Sequence, residues 1–522
     1  MIRVRQIKLS LEEDNYLNLK KKVLHKLKIK EHDLISFSIS KRSIDARKDL
    51  KVVYEVELDT NKKVKLSKDV IEFEKKSYNF PRPDKNMLNR KILIVGAGPS
   101  GLFAAYFLAK NGLKPVIIDR GKKIEDRIKD VEKFFNEEIL NEESNVLYGE
   151  GGAGTFSDGK LTTGVKDKKG LIKEVLKIFV SCGAPEEILY EKNPHIGTDL
   201  LRNVIINLRK KIESYGGIFR YGTCLDDVII ENDKVSKVII NGKEECFDDI
   251  VLAIGHSPKD TYEMLLKNGV SLSSKPFAVG LRIMTKQEII NKNQYGKYYK
   301  MLPAANYKLT YTTKNNRGVY SFCMCPGGYV INSSNENGFL VINGMSNYKR
   351  DSSFANSAIL VTVDKNDFGS GPLDGLYFIK DLERKAFSLG NGAIPVQNYK
   401  DYVSGKTDNL IMNIDGGIKG KYTISDLNNI FPSYINESLK EGLNNFCIKI
   451  KGFENSVLLG VESRSSSSVK IFRDDSYLSN IKNIYPVGEG SGYSGGITTS
   501  AIDGINAAER LVINNSKEHI IK

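Results

Sequence analysis

The sequence predicts an α/β chain: a parallel sheet wound with helices, a β-rich domain inserted into it, and a small α+β domain in front. Three observations carry this. The apolar run Lys91-Ile92-Leu93-Ile94-Val95 passes directly into Gly96-Ala97-Gly98-Pro99-Ser100-Gly101. A second strand, glycine loop and helix start recur far downstream, over 483–513. Between the two, over 275–400, the composition turns to Tyr, Asn, Gly and Thr in short strand-like runs.

The first block has the spacing G-x-G-x-x-G, and each glycine answers a different steric need. Gly96 permits the tight turn, Gly98 lets backbone approach a pyrophosphate, and Gly101 lets a helix over 102–111 lie close against the strand. Pro99 and Ser100 complete the turn into that helix, whose free N–H groups and dipole favour an anion. A second strand over 115–118 ends in Asp119 and Arg120, and Asp119 stands 18 residues after Gly101, where an acid accepts hydrogen bonds from a ribose. Strand, glycine turn, helix and acid together point to dinucleotide binding.

At 522 residues the chain exceeds what one core holds. Its divisions read as 1–85 for the α+β domain, 86–274 for the first part of the nucleotide domain, 275–405 for the insert, and 406–522 for the part that completes the nucleotide domain. A net charge of +14 raises nucleic acid or an anionic membrane as partners. Residues 1–90, however, hold 23 basic and 14 acidic side chains, a net of +9, which leaves +5 for the rest. The alternative reading of the abundant lysine is biased codon usage, in a chain rich in Asn and Ile. Nucleic acid is not expected as a partner, and residues 1–85 are the stretch where that question stays open. The six cysteines form no C-x-x-C pairs, so no metal site is expected. With no apolar run of signal-peptide or membrane-spanning length, a soluble, cytoplasmic protein with reduced thiols is expected.

Along the chain, residues 2–9 alternate as a strand, 16–27 carry helical spacing, and 34–39 and 52–58 read as further strands. The dense basic segment 41–48 reads as a solvated hairpin loop, with contact to nucleic acid or an acidic partner as its functional alternative, and 61–89 reads as a linker. A charged helix is expected over 124–143. The glycine-dense stretch 149–161 cannot be regular helix or strand. It suits close approach of backbone to a ligand, with Gly154 and Thr155 in the loop and Ser157, Asp158 and Lys160 as polar groups at its end. Helices follow at 171–183 and 199–216, the latter capped by Thr198. Strands over 217–221, 224–231, 234–241 and 244–247 make a meander, after which an apolar run ending in Gly255 returns to the parallel sheet. A helix is expected over 422–449.

The late block, Gly488-Glu489 through Gly495-Gly496-Ile497, repeats the phosphate-loop arrangement before a helix over 498–513. A nicotinamide dinucleotide has no use for it. FAD does, because its ribityl chain and ring extend beyond the first helix. Glu489 can bind a ribityl hydroxyl, and Gly495 and Gly496 let the helix approach the ring.

These stretches resemble the glutathione-reductase-type FAD proteins and, more closely, a family of bacterial FAD-dependent dehydrogenases. The matching segments are Ser43-Ile44-Asp45-Ala46-Arg47, VGAGPSGLFAA from Val95, GEGGAGTFSDGKLTT from Gly149, NPHIGTDLL from Asn193, KPFAVGLRI from Lys275, SFCMCPGG from Ser321, GVESRSSS from Gly460 and YPVGEGSGYSGGI from Tyr485. The resemblance implies non-covalent FAD, an attached substrate region and a ferredoxin-like N-terminal extension. Where similar proteins often follow the GLRI segment with an acid and a histidine, this chain has Met284-Thr285.

No second strand-plus-GxGxxG unit follows the first, so electrons are expected from transiently bound NAD(P)H or from a protein donor. The reading is an FAD-dependent oxidoreductase exchanging hydride between flavin N5 and a small, anionic substrate. Lys160, Arg282, Glu462 and Arg464 are the candidate catalytic groups, each with a structural reading beside it. Of the histidines, His195 and His256 could carry a proton, His256 reading more simply as a backbone partner. Cys323 and Cys325, at i and i+2 of an expected strand, face one side of it as core packing or as a redox pair beside the flavin. The alternatives are an RNA-associated flavoprotein docking through its basic N-terminal domain, and a non-enzymatic FAD redox sensor.

Overall fold

The computed structural model describes residues 1–46, 49–408 and 410–516. Five parallel strands form the nucleotide sheet, in the order Ile484–Pro486, Asp249–Leu252, Ile92–Val95, Val116–Asp119 and Ile218–Tyr221. Ile92–Val95 and Asp249–Leu252 are buried at every position, as a sheet covered on both faces requires. Helix Pro99–Lys110 is apolar nearly all round because it is packed among helices Ile497–Asn515, Gly197–Ser214 and Leu171–Ser181. Small residues set the spacing. A Cβ at Gly101 would strike the Gly96 carbonyl oxygen, and one at Gly504 the Ser100 carbonyl oxygen.

Two local expectations change here. Residues Ile218–Tyr221 leave the meander and pair with Val116–Asp119 as the outer parallel strand, so the meander keeps Leu225–Glu231, Lys234–Ile240 and Lys243–Glu245. Thr198 lies inside the first turn of helix Gly197–Ser214, and its hydroxyl donates to the Thr155 carbonyl instead of capping the helix.

A seven-stranded sheet follows, in the order Thr310–Thr312, Gly318–Cys325, Phe354–Val363, Phe277–Lys286, Val457–Glu462, Ile394–Asn398 and Tyr422–Ile424. Its alternation decides what faces where. Phe277, Val279, Leu281 and Ile283 enter a core covered by helices Asp374–Gly390 and Ser433–Lys449, while Ala278 and Arg282 lie on the opposite face. This core runs on to Val461, so a boundary at 405 cuts through it. The helix expected over 422–449 is a strand, Tyr422–Ile424, added parallel to Ile394–Asn398, followed by a helix that starts only after Pro432. Helix Asp374–Gly390 occupies part of the stretch whose composition predicts short strands.

At the N-terminal end the antiparallel order is Leu34–Asp45, Lys51–Thr60, Ile2–Leu9 and Val70–Glu72. Helix Tyr16–Leu27 packs on this sheet through Leu19, Val23 and Leu27. The basic segment is mostly strand, not loop. Arg42 is bound to Asp14 at 2.7 Å and to Glu191 at 3.0 Å, which ties this sheet to the loop before helix Gly197–Ser214. Arg47 and Lys48 of that segment lie outside the described residues. The stretch read as a linker supplies the strand Val70–Glu72, and its Tyr78 and Phe80 pack on Phe107. A division at 85 therefore separates side chains that share a core. Among the described residues, no helix is long and apolar enough to cross a membrane.

Candidate functional site

A cavity of about 290 Å³ opens at the carboxyl ends of the parallel strands, beyond Val95, Ile118 and Ala253. Gly98 caps helix Pro99–Lys110 with Pro99 in its first turn, and a Cβ at Gly98 would meet only Gly152 Cα, at 3.9 Å. The helix N-terminus therefore faces an open cradle. Gly96, Gly98, Pro99, Ser100, Asp119, Arg120, Gly154, Lys160 and Gly255 line the cavity, as do Glu462, Arg464, Glu489, Gly496 and Ile497. Gly101, Thr155, Gly488, Gly495 and Arg282 do not line it. Gly101 and Gly488 are small for packing, the latter against Ser100, and the Thr155 hydroxyl is buried inside the protein.

Asp119 lines the cavity and also carries a structural task. Its two carboxylate oxygens accept from the N–H groups of Ala97, at 2.8 Å, and Gly121, at 2.9 Å. The acid thus holds the glycine turn in shape from beneath. Asp119→Ala is expected to weaken FAD binding about tenfold or more, since charge-assisted hydrogen bonds of this kind contribute roughly 1.5–3 kcal/mol. Equilibrium titration of apoprotein would measure this, and an unchanged affinity would mean that the turn keeps its shape unaided. Arg120 pairs with Asp260 at 2.7 Å and lies over the Tyr148 ring at 4.9 Å.

Sequence reasoning missed Arg127, which organises the second glycine loop. Fully buried, it donates to the carbonyls of Asn145 at 2.8 Å, Val146 at 2.8 Å, Gly149 at 3.1 Å, Glu150 at 2.6 Å and Gly152 at 3.0 Å. Burial lowers its pKa to about 10, with Asp119 and Glu150 opposing the shift. The readable signal was an arginine on the apolar face of helix Ile124–Glu137, in line with Ile124, Val131 and Phe134. The expected helix stops at Glu137, six residues short.

On the other side, helix Ile497–Asn515 begins at Gly496, whose φ of 78° favours glycine, and its first turn lines the cavity. Thr498 donates to the Leu161 carbonyl and the Thr499 hydroxyl bonds that of Thr163, so this turn is fixed to the loop that carries Lys160. Glu489 projects into the cavity with no hydrogen-bonding partner among the described residues, and burial pushes its carboxyl up to about 7. An acid left without a donor, facing a space between two helix N-termini, fits FAD. Gly98 and the Pro99 helix would take the pyrophosphate, Glu489 a ribityl hydroxyl, and the Gly496 turn the ring edge.

The remaining wall comes from the seven-stranded sheet and its neighbours. Glu462 faces the cavity and is gripped from behind by Arg282, Nε and Nη2 each at 2.9 Å. Arg282 also donates to Asn356, Asn343 and the Cys323 carbonyl, so it is a buried hub. Arg464 is paired in the same bidentate way with Glu383, at 2.7 Å and 2.7 Å. Lys160 donates to the Met324 carbonyl and lies 3.8 Å from Asp158, which Arg350 already binds through two nitrogens. His195 bonds the Tyr348 carbonyl at 2.9 Å and stacks on that ring, its backbone bridging that of Lys160. His256 bonds its neighbour Ser257 at 2.7 Å and also its own backbone, and burial together with Arg464 lowers its pKa to about 4. Cys323 and Cys325 both line the cavity.

Comparisons with known proteins agree with this geometry. Residues 276–465 match the family described as FAD-dependent protein, C-terminal domain-like, residues 94–131 match the NAD(P)-binding Rossmann-like domain, and residues 1–60 match a domain of unknown function. An uncharacterized protein of Clostridium beijerinckii is 43% identical over 528 residues, covering 98% of each chain. The thiamine thiazole synthase of Thermotoga maritima is 28% identical over 158 residues, 30% of this chain and 49% of that enzyme, so the match spans about half of that relative. Among solved structures, a quinol fumarate reductase FrdA variant of E. coli aligns at 12% identity and a TM-score of 0.39, covering 82% of this chain and 70% of that one. An L-proline dehydrogenase from P. horikoshii aligns at 13% and 0.34, covering 82% and 94%. Likeness at that level carries no conclusion about chemistry.

Proposed function

We propose, for a chain that belongs to this family of FAD-dependent oxidoreductases, that it exchanges hydride with a small anionic substrate held against the Lys160 wall of the cavity. When bound, the flavin supplies the hydride acceptor or donor, and the protein supplies position and charge. The observation that supports an anion is a local imbalance of charge. Arg282 is matched by Glu462 and Arg464 by Glu383, whereas Arg350 and Lys160 share the single carboxylate of Asp158. One cation is in excess, and it is Lys160 that lines the cavity. Paired arginines hold the wall rigid while the lysine is left to meet a ligand charge. NAD(P)H as a transient electron donor remains part of this proposal.

An anaerobic screen that follows flavin bleaching would test it. Small carboxylates should bleach the flavin, and their amide counterparts should do so at least ~10 times more slowly, a difference of about 1.4 kcal/mol. Equal rates for the charged and neutral members of each pair would overturn the assignment. Lys160→Met should lower kcat/KM for the active carboxylate roughly tenfold or more. It should leave the FAD affinity within about twofold of wild type. A loss of FAD instead would place Lys160 against the cofactor.

A further inference from the structure

We propose that Cys323 and Cys325 form a reversible dithiol–disulfide pair in the wall of the flavin cavity, a second redox centre that rests on the FAD assignment above. Strand Gly318–Cys325 pairs regularly with Phe354–Val363 up to Phe322, then slips register before Cys325. At the slip Cys323 takes a φ of 40°. In a regular strand two residues span roughly 7 Å with parallel side chains. A bulge shortens that span towards the Cα separation of about 4.4–6.8 Å that a disulfide tolerates. Met324 between the cysteines turns into the core, while both cysteines line the cavity.

The surroundings suit sulfur chemistry. Cys325 Sγ lies 3.3 Å from the Cys323 carbonyl oxygen, so the second sulfur folds back over the first residue's backbone. Arg282 fixes that same carbonyl at 3.2 Å. Lys160 is held at the Met324 carbonyl between the two residues, and its charge favours the thiolate at both sulfurs against the effect of burial. Cys323 is the sulfur open to the cavity, and Cys325 is the buried one. On oxidation the two S–H bonds break and one S–S bond forms. With FAD bound, the oxidised flavin would accept the two electrons and two protons released, and the reduced flavin would return them to restore both thiols.

The test uses holoprotein and two independent readouts. After oxidation with diamide and denaturation, the count of free thiols should fall from six to four, while Cys325→Ser should keep all five of its thiols. Anaerobic reductive titration of the oxidised holoprotein should consume two electrons more per chain than the flavin absorbance accounts for, as a two-electron couple requires. That excess should vanish in both Cys323→Ala and Cys325→Ser. Six thiols surviving oxidation, or an endpoint that neither variant changes, would overturn the pair. Flavin content is read separately from absorbance. Its absence would sink the function proposed above, and the thiol count would still decide whether the pair exists.

Discussion

Arg127→Met should yield a chain that purifies without FAD and unfolds well below the wild-type temperature. The side chain satisfies five carbonyls in eight residues of the loop 145–152, and four of these five hydrogen bonds are buried. Leaving buried acceptors unpaired costs about 1–3 kcal/mol each. Relaxation of the loop will recover part of this, so a net loss of more than about 4 kcal/mol is expected, in the range reserved for broken buried networks. The same loop places Gly149, Gly152 and Gly154 against the cavity, and a Cβ at Gly154 would meet Ile497 at 2.9 Å. Loosening it therefore spoils both walls at once. Arg127→Lys keeps a charge but offers three donors in place of the guanidinium fork, so it should fall between the two. Flavin content by absorbance and a thermal melt of each variant would check this. A Met variant that retains FAD and melts within about 2 °C of wild type would show that the loop is held by its own turns.

What the sequence made legible follows from the range of the forces involved. Ile92–Val95, the glycine turn and its helix are fixed by sterics within a few residues, and they lie where the spacing puts them. The late block was legible for the same reason: Gly496 caps its helix, and Glu489 faces the cavity. The misread parts are those decided at long range. Asp119 lies at the cavity, where its place after the second strand puts it, but position along the chain cannot show that Ala97 and Gly121 also present their N–H groups to both of its oxygens. Residues Ile218–Tyr221 carry the same kind of short strand pattern as their neighbours, and only the open edge of the parallel sheet drew them away from the meander. Arg282, a candidate catalytic group by its place in the sequence, stands one layer behind the cavity and reaches it only through its partners, Glu462 first among them. The strand ends of the insert were assigned by composition, which could not reveal that Val457–Glu462, more than a hundred residues after Phe277–Lys286, is its direct neighbour.

Glu489→Ala should lower FAD affinity by roughly 10- to 100-fold, because the carboxylate has no other donor and a hydrogen bond to a charged acceptor contributes about 1.5–3 kcal/mol. The pH behaviour of the apoprotein separates this acid from a merely structural one. Burial raises Glu489 from an ordinary 4.5 to about 7, with only Lys275 opposing, and raises Glu150 to about 7 in the same way. A carboxyl held above its unfolded value keeps its proton longer in the folded chain. Between about 4.5 and 7 the folded state therefore binds more protons than the unfolded state, and stability falls as pH rises through that window. Each tenfold difference in acid constant is worth about 1.4 kcal/mol, an upper figure for Glu489 because water in the cavity screens it. Apoprotein should thus melt at a higher temperature near pH 5 than near pH 8, and Glu489→Gln should flatten that trend without abolishing it, since Glu150 is untouched. Thermal melts of apoprotein and variant across this range would decide. An identical pH trend in the Gln variant would show that Glu489 ionises freely in the cavity, and that FAD meets there a carboxylate already charged.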